Sequence, residues 1–337
     1  MTPAPKLSVV AATRNDEHGG NQLARTQLFI NGLAEQSARF KLPVELLLVE
    51  WNPPPDKPAL AEVLSWPRSE WFAPRIIVVT PELHRRFPHA DALPLFQMIA
   101  KNVGIRRAAA DFILATNIDI LFSDELFASL GRDLKSNALY RVDRYDVEAD
   151  LTRDPLPSPV ECRALPWLRA HRRDGLHYRD GRRSPWYAAA RSRLNRAIWD
   201  SLHGGPLPNL FTWACGDFTL TSKAVWDGLR GYPEWPMFSM FLDSIVLVQA
   251  YQAGVEMVTL DPPMIVQHLE HGLGSGWTPE GARTLSRRLD AAGIPYLTGS
   301  SYDRLARDIL HKEKGFQPFN GSDWGLASAD LLALNPE

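Results

Sequence analysis

The chain has 337 residues, a formal net charge of −2 and a hydrophobic fraction of 45%. That length holds one large α/β domain with insertions or two modest ones, and the near-neutral charge supplies no field favouring nucleic acid or an anionic membrane. No apolar run nears the roughly 20 residues of a membrane span, and MTPAPK leads straight into a strand, so neither a transmembrane segment nor a signal peptide is expected. Cys162 and Cys215 are too few for a zinc site or a disulfide framework, and a reducing cytoplasm is the expected setting.

Leu7 to Ala12 is a β-rich run followed by TRNDEHGGN. Leu23, Leu28, Ile30, Leu33 and Ala34 then recur at helical spacing and predict a helix from Gln22 to Phe40. ELLLV, ending at Glu50, is a second buried strand, and the Pro-rich NPPPDKP follows it. Residues 60–64 predict a short helix, 75–79 a third strand ended by Pro81, and 95–110 a helix. Phe112 to Ala115 is the fourth strand. It stops at Thr116-Asn117, Asp119 follows, and Ser123 and Asp124 offer caps for the helix DELFASL. Continuous apolar strands alternating with helices predict an α/β fold with a mostly parallel central sheet and helices on both faces. A carboxylate just past the C-terminal end of a buried strand lies where open α/β sheets bind ligands.

LYRVDRYDV, 139–147, predicts another strand. Residues 148–210 lose the rhythm and carry Arg172, Arg173, Arg179, Arg182 and Arg183. Such a cluster reads as a solvated face; its functional alternative is an acceptor-side insertion touching an anionic lipid or glycan. Beyond it come a strand at 218–221, a helix from Lys223, a turn at Gly231-Tyr232-Pro233 and a helix at 239–253 closed by Gly254. Strands at 256–260 and 264–267 precede a mainly helical tail from Pro279, with a WGL segment near the end.

AKNVGIRRA, 100–108, then a strand, then N-x-D at Asn117 and Asp119, resembles the family 2 glycosyltransferases of the GT-A fold. Their pattern runs A-R-N-x-G-x-x-x-A, a strand, then D-x-D. The resemblance implies a metal, Mn²⁺ or Mg²⁺, held by Asp119 on the diphosphate of a UDP- or GDP-sugar, with Asn117 in place of the first acid. It extends to SVVAATRND, where Thr13 and Arg14 match nucleotide-contacting positions, to Glu50 for base or ribose, and to Lys101 and Asn102 near the nucleotide. FLDSIVLVQAYQAG resembles the family's E-D helix: Asp243 matches the base toward the acceptor hydroxyl, and Leu242 replaces the other acid. His268, with His271 as its rival, matches the His that completes the metal shell. Asp217 is a candidate for the donor sugar or acceptor, and Trp213 for stacking on a sugar face. Blander readings stand beside these: a plain β–α turn for Thr13 and Arg14, an exposed helix face for Lys101, a cap for Asp243 and a structural role for a lone His.

The implied function is inverting glycosyl transfer from a nucleotide sugar to a glycan or lipid-linked hydroxyl, leaving room for peripheral contact with the inner face of a membrane. The resembling region is a GT-A-like domain at 1–275, with a nucleotide half to about 135 and an acceptor half at 136–275 containing the 148–210 insertion. Residues 276–337 form a helical extension packed on it. Two alternatives remain open: a sugar nucleotidyltransferase on a similar fold, and a degenerate glycan-binding or scaffold module, motivated by Asn117 and Leu242. No Walker A loop, G-x-S-x-G elbow or Rossmann G-x-G-x-x-G after strand one is present.

Overall fold

A computed structural model describes residues 3–336 except 18, 133, 182–206, 272–278 and 312–314; Arg182 and Arg183 of the basic cluster lie outside the described residues. The strands are β1 (Leu7–Thr13), β2 (Val44–Trp51), β3 (Phe72–Val79), β4 (Phe112–Ala115), β5 (Ile120–Phe122) and β6 (Ala138–Val147). They continue with β7 (Trp167–Arg172), β8 (Gly175–Tyr178), β9 (Thr219–Ser222), β10 (Glu256–Leu269) and β11 (Leu332–Leu334). All join one sheet of order β11-β3-β2-β1-β4-β9-β6-β10-β5, with the hairpin β7–β8 added on β6.

The run β3-β2-β1-β4 is parallel, as the continuous apolar strands predict. Beyond it the sheet is mixed: β9 is antiparallel to both β4 and β6, β6 and β10 are parallel, and β5 and β11 are antiparallel edges. Successive side chains of a strand face opposite sides, and two cores result. Val10, Ala12, Leu47 and Val49 pack with helices Gln97–Arg107, Lys223–Leu229, Leu242–Gln252 and Gly299–Leu310. Val9, Ala11, Leu46 and Leu48 pack with helices Gln22–Phe40, Leu60–Val63 and Asp124–Leu130. A sheet covered on both faces is why its strands read as unbroken apolar runs.

Four elements differ from the sequence expectation. The strands expected at 256–260 and 264–267 are one strand, β10, with an irregularity between Leu260 and Ile265. A short β5 follows Asp119 directly. The 148–210 segment, where described, contains a helix at Pro159–Arg163 and the β7–β8 hairpin. The tail has the expected helices, Pro279–Ala291 and Gly299–Leu310, then leaves helical structure to supply β11. Arg107 Nη1 and Nη2 donate to the carbonyls of Gly325 and Leu326 at 2.6 and 2.7 Å, so the WGL segment is tied to helix Gln97–Arg107. Cys162 and Cys215 are free and buried. Among the described residues no helix is long and apolar enough to cross a membrane.

Helix Gln97–Arg107 lies directly on β1. A Cβ at Gly104 would come within 2.5 Å of Val10 Cγ1, so only glycine permits this approach. Gly104→Val is expected to cost about 1–3 kcal/mol through overpacking, seen as a lower urea midpoint with an unchanged denaturant slope.

Candidate active site

The strand order brings the acidic candidates to one end of the sheet. Asp119 lies between β4 and β5, and its carbonyl accepts from Leu269 N at 2.9 Å. β10 lies between β5 and β6, with His268 opposite Ile120 on one side and Asp146 on the other. Antiparallel β9 begins just after Asp217, and its Thr219 pairs with Ala115 at the end of β4. Asn117 and Asp217 therefore meet across two strand ends.

Asp119, His268 and His271 form a cluster whose ligand atoms all lie within 4.8 Å of one another. Asp119 Oδ2 is 3.1 Å from His271 Nε2 and 3.6 Å from His268 Nε2. Asp119 Oδ1 is buried with no hydrogen-bond partner among the described residues. Burial alone would push the Asp119 carboxyl up, but the two imidazoles outweigh it and hold the carboxyl well below its usual range. On the far side of His268, Nδ1 lies 3.2 Å from Asp146 Oδ1. A carboxylate behind a histidine orients the ring and raises its basicity, as behind many metal-bound histidines. Burial and Arg144 oppose charge on His268, yet Asp119 and Asp146 prevail and raise it to about 9. One oxygen and two nitrogens, with a spare buried carboxylate oxygen, fit a divalent cation such as Mn²⁺ that replaces the proton on His268 Nε2. Gly19 allows His271 its position: a Cβ there would come within 2.3 Å of His271 Nδ1.

Asn117 faces away from this cluster. Its Nδ2 donates to Asp217 Oδ1 at 2.6 Å and its Oδ1 accepts from Gln97 Nε2 at 2.9 Å. Asp217 Oδ2 accepts from Arg144 Nη1 at 2.5 Å, and Arg144 Nε donates to Asp146 Oδ1 at 2.7 Å. Arg144 is thus a buried bridge between the acid behind His268 and the acid beside Asn117.

Asp243 stands in the first turn of helix Leu242–Gln252, where Oδ1 accepts from Ser244 N at 2.8 Å. Its other oxygen lies against the Cys215–Asp217 turn, so closely that a Cβ on Gly216 would be 2.9 Å from Oδ2. Lys101, fully buried, donates to Gly216 O at 2.8 Å. Burial lowers the Lys101 ammonium to about 8, against the pull of Asp217, Asp243 and Asp119. Burial also raises the Asp243 carboxyl, with Cys215 and Lys101 opposing. The loop before this turn is strained, with positive φ at Phe211 (52°) and Ala214 (49°), and the helix is entered at Phe241 (63°). Arg141 holds that loop by donating to the carbonyls of Phe211, Trp213 and Cys215.

Thr13, the last residue of β1, is the register partner of Glu50, the penultimate residue of β2. Thr13 Oγ1 accepts from Gln22 Nε2 at 2.5 Å, and Arg14 pairs with Asp16 at 3.4 Å. Glu50 Oε1 accepts from Leu60 N at 3.1 Å; Oε2 is buried without a partner among the described residues, and burial raises the carboxyl. Trp213 is half-buried. Asn102 is not brought to this end of the chain's chemistry. Its Nδ2 donates to Tyr232 O at 2.8 Å and Glu234 Oε1 at 3.0 Å, and its Oδ1 accepts from Tyr232 N at 2.8 Å, so it clamps the Gly231–Glu234 turn. Arg25, Arg144 and Asp146 escape the motif pattern. A charged residue three before Leu28 on the apolar stripe of its helix, and two charges on one face of a buried strand, are the signals they carry.

No protein-family model matches the chain, and no curated protein does. Among solved structures, 97% of the chain is similar to 73% of the mannosyltransferase PcManGT from Pyrobaculum calidifontis in complex with GDP-Man and Mn²⁺, at 14% identity and a TM-score of 0.44. It is similar over 92% of its length to 73% of the 1–349 portion of S. aureus TarS, at 13% identity and a TM-score of 0.43. Another S. aureus TarS structure matches at 12% identity and a TM-score of 0.38, with 92% of this chain and 44% of that one covered.

Asp217 neutralises Arg144 in a buried pair, so Asp217→Ala is expected to destabilise the fold by about 3–5 kcal/mol. Asp217→Asn should cost less, because it keeps a hydrogen-bonding oxygen. Urea unfolding of both variants checks the order; equal stability to the parent would show that the bridge is not needed.

Proposed function

We propose that the chain transfers a sugar from a nucleotide-sugar donor to a hydroxyl of a glycan or lipid-linked acceptor, with inversion and with Mn²⁺ or Mg²⁺. The observation that carries this reading is the pairing of two features at one end of the sheet. One is the Asp119–His268–His271 cluster, whose second carboxylate oxygen is buried with no hydrogen-bond partner among the described residues. The other is Asp243, a carboxyl of raised pKa beside Lys101.

In this reading Asp119, His268 and His271 would hold the metal, which supplies positive charge toward the departing diphosphate. Asp243 takes the proton from the acceptor hydroxyl as that oxygen attacks the anomeric carbon and the bond to the diphosphate breaks. A raised pKa suits a general base working near neutral pH. Glu50 Oε2 is an acceptor for an N–H of the base or a ribose hydroxyl, next to Thr13 and Arg14 on the neighbouring strand end. Lys101 keeps the Gly216 turn against Asp243. Asp217 acts by holding Asn117 and Arg144, and Trp213 offers a ring for a sugar face. The glycan-binding scaffold keeps one observation in its favour, that Arg25 Nη1 already pairs with Asp119 Oδ2 at 3.0 Å. Metal-dependent hydrolysis of a sugar nucleotide separates the two readings.

Asp119→Ala and His268→Ala are expected to weaken Mn²⁺-assisted binding of a nucleoside diphosphate at least tenfold in calorimetry. Unchanged affinity in both would remove the cluster from the metal site. Asp243→Asn keeps the shape and should leave donor affinity near that of the parent while transfer falls by roughly 10²-fold or more. The base works only when ionised, so the parent's transfer rate should drop as pH falls through the raised Asp243 pKa. A mutant transferring at the parent rate would place the base elsewhere.

A further inference from the structure

The cluster of Asp119, His268 and His271 already has a cation built into it. Arg25 Nη1 is 3.0 Å from Asp119 Oδ2, the same oxygen that both imidazoles approach. The guanidinium is no surface group. Arg25 is 2% exposed, and its Nη2 and Nε donate to Gly20 O at 3.1 and 3.3 Å. Asn117 brings no second negative charge, since it is an amide and is engaged with Gln97 and Asp217. Asp146, behind His268, is matched by Arg144 and Arg169. Asp119 is therefore the one carboxylate of the three grouped side chains, and a buried guanidinium that also feels the charge of Glu17 sits on it.

A divalent cation entering alone would meet a neutralised carboxylate and a guanidinium a few ångströms away. The repulsion of Arg25 opposes the attraction of Asp119 for such a cation, and Glu17 offsets only part of that repulsion. A diphosphate changes the balance, because it carries negative charge to both cations and its oxygens accept the guanidinium fork. We infer that Arg25 makes divalent-cation binding and nucleoside-diphosphate binding mutually dependent, each weak alone and each strengthened by the other. This rests on the metal-site reading of the cluster given above. Such a coupling is reciprocal: the factor by which the diphosphate tightens the cation equals the factor by which the cation tightens the diphosphate. It would keep the site free of stray divalent ions until a donor arrives.

The test titrates Mn²⁺ into the full chain by electron paramagnetic resonance, with and without GDP or UDP. In the parent, the diphosphate is expected to tighten Mn²⁺ at least tenfold; equal affinity in both conditions overturns the inference. Arg25→Met and the milder Arg25→Gln remove the charge and should bind Mn²⁺ alone at least tenfold more tightly, with a smaller coupling factor. Arg25→Lys retains a cation and should keep Mn²⁺ binding weak. Thermal melting identifies any variant that does not fold, and Arg25→Gln, still able to hydrogen-bond Asp119, decides the matter if Arg25→Met is lost. Neutral variants that bind Mn²⁺ no better than the parent, while Asp119→Ala abolishes binding, refute the role of Arg25 alone. Mn²⁺ binding untouched by Asp119→Ala and His268→Ala would instead refute the metal site itself.

Discussion

Three carboxylates, Asp119, Asp146 and Asp217, are buried at one end of the sheet, at 7%, 0% and 5% exposure, and everything nearby is arranged to keep each beside positive charge. An uncompensated buried charge costs several kcal/mol, a large part of a domain's net stability. Arg144 solves this for two of them at once, joining Asp146 on its own strand to Asp217 at the start of β9. Arg169 of β7 also pairs with Asp146 and Glu270, which explains why the hairpin belongs to the sheet and is more than a surface loop. Arg25 and the two histidines serve Asp119.

That arrangement sets a conflict between stability and chemistry. Asp146 and Asp217 share the charge of Arg144 between them. Asp119 keeps one oxygen without a hydrogen-bond partner among the described residues and Asp243 keeps a raised pKa, so each retains capacity for a ligand or a proton. The backbone next to Asp243 is strained at Phe211, Ala214 and Phe241, and Arg141 spends its guanidinium on three carbonyls to hold it. Such strain persists only when the surroundings over-determine it.

The parallel half of the sheet was legible because β1, β2 and β4 are unbroken apolar runs and the helices between them repeat at 3.6. Asp119, Asp243 and His268 were legible as acids and an imidazole next to strand or helix ends. The partners were not. Arg25 lies 94 residues from Asp119, and Arg144 lies 73 from Asp217. No local pattern couples residues so far apart. Lys101 and Asn102 are adjacent in one motif, yet helical geometry turns them apart. Lys101 reaches Gly216 at the acid site, while Asn102 clamps the Gly231–Glu234 turn.

By itself the sequence determined the α/β class, the strand and helix positions in roughly the first 135 residues, and the residue types capable of metal or proton chemistry. Periodicity and chain punctuation are local, and they suffice for that. The tertiary structure decided the rest: the mixed order β9-β6-β10-β5, the single long β10 in place of two strands, and β11 from the tail. It also decided that His271 stands nearer to Asp119 than His268 does, and that Asn117 turns toward Asp217. The physical reason is register. Which strand lies beside which fixes the neighbours of every side chain at its end, and strand pairing between distant segments is settled by burial of the whole sheet, not by any stretch of it.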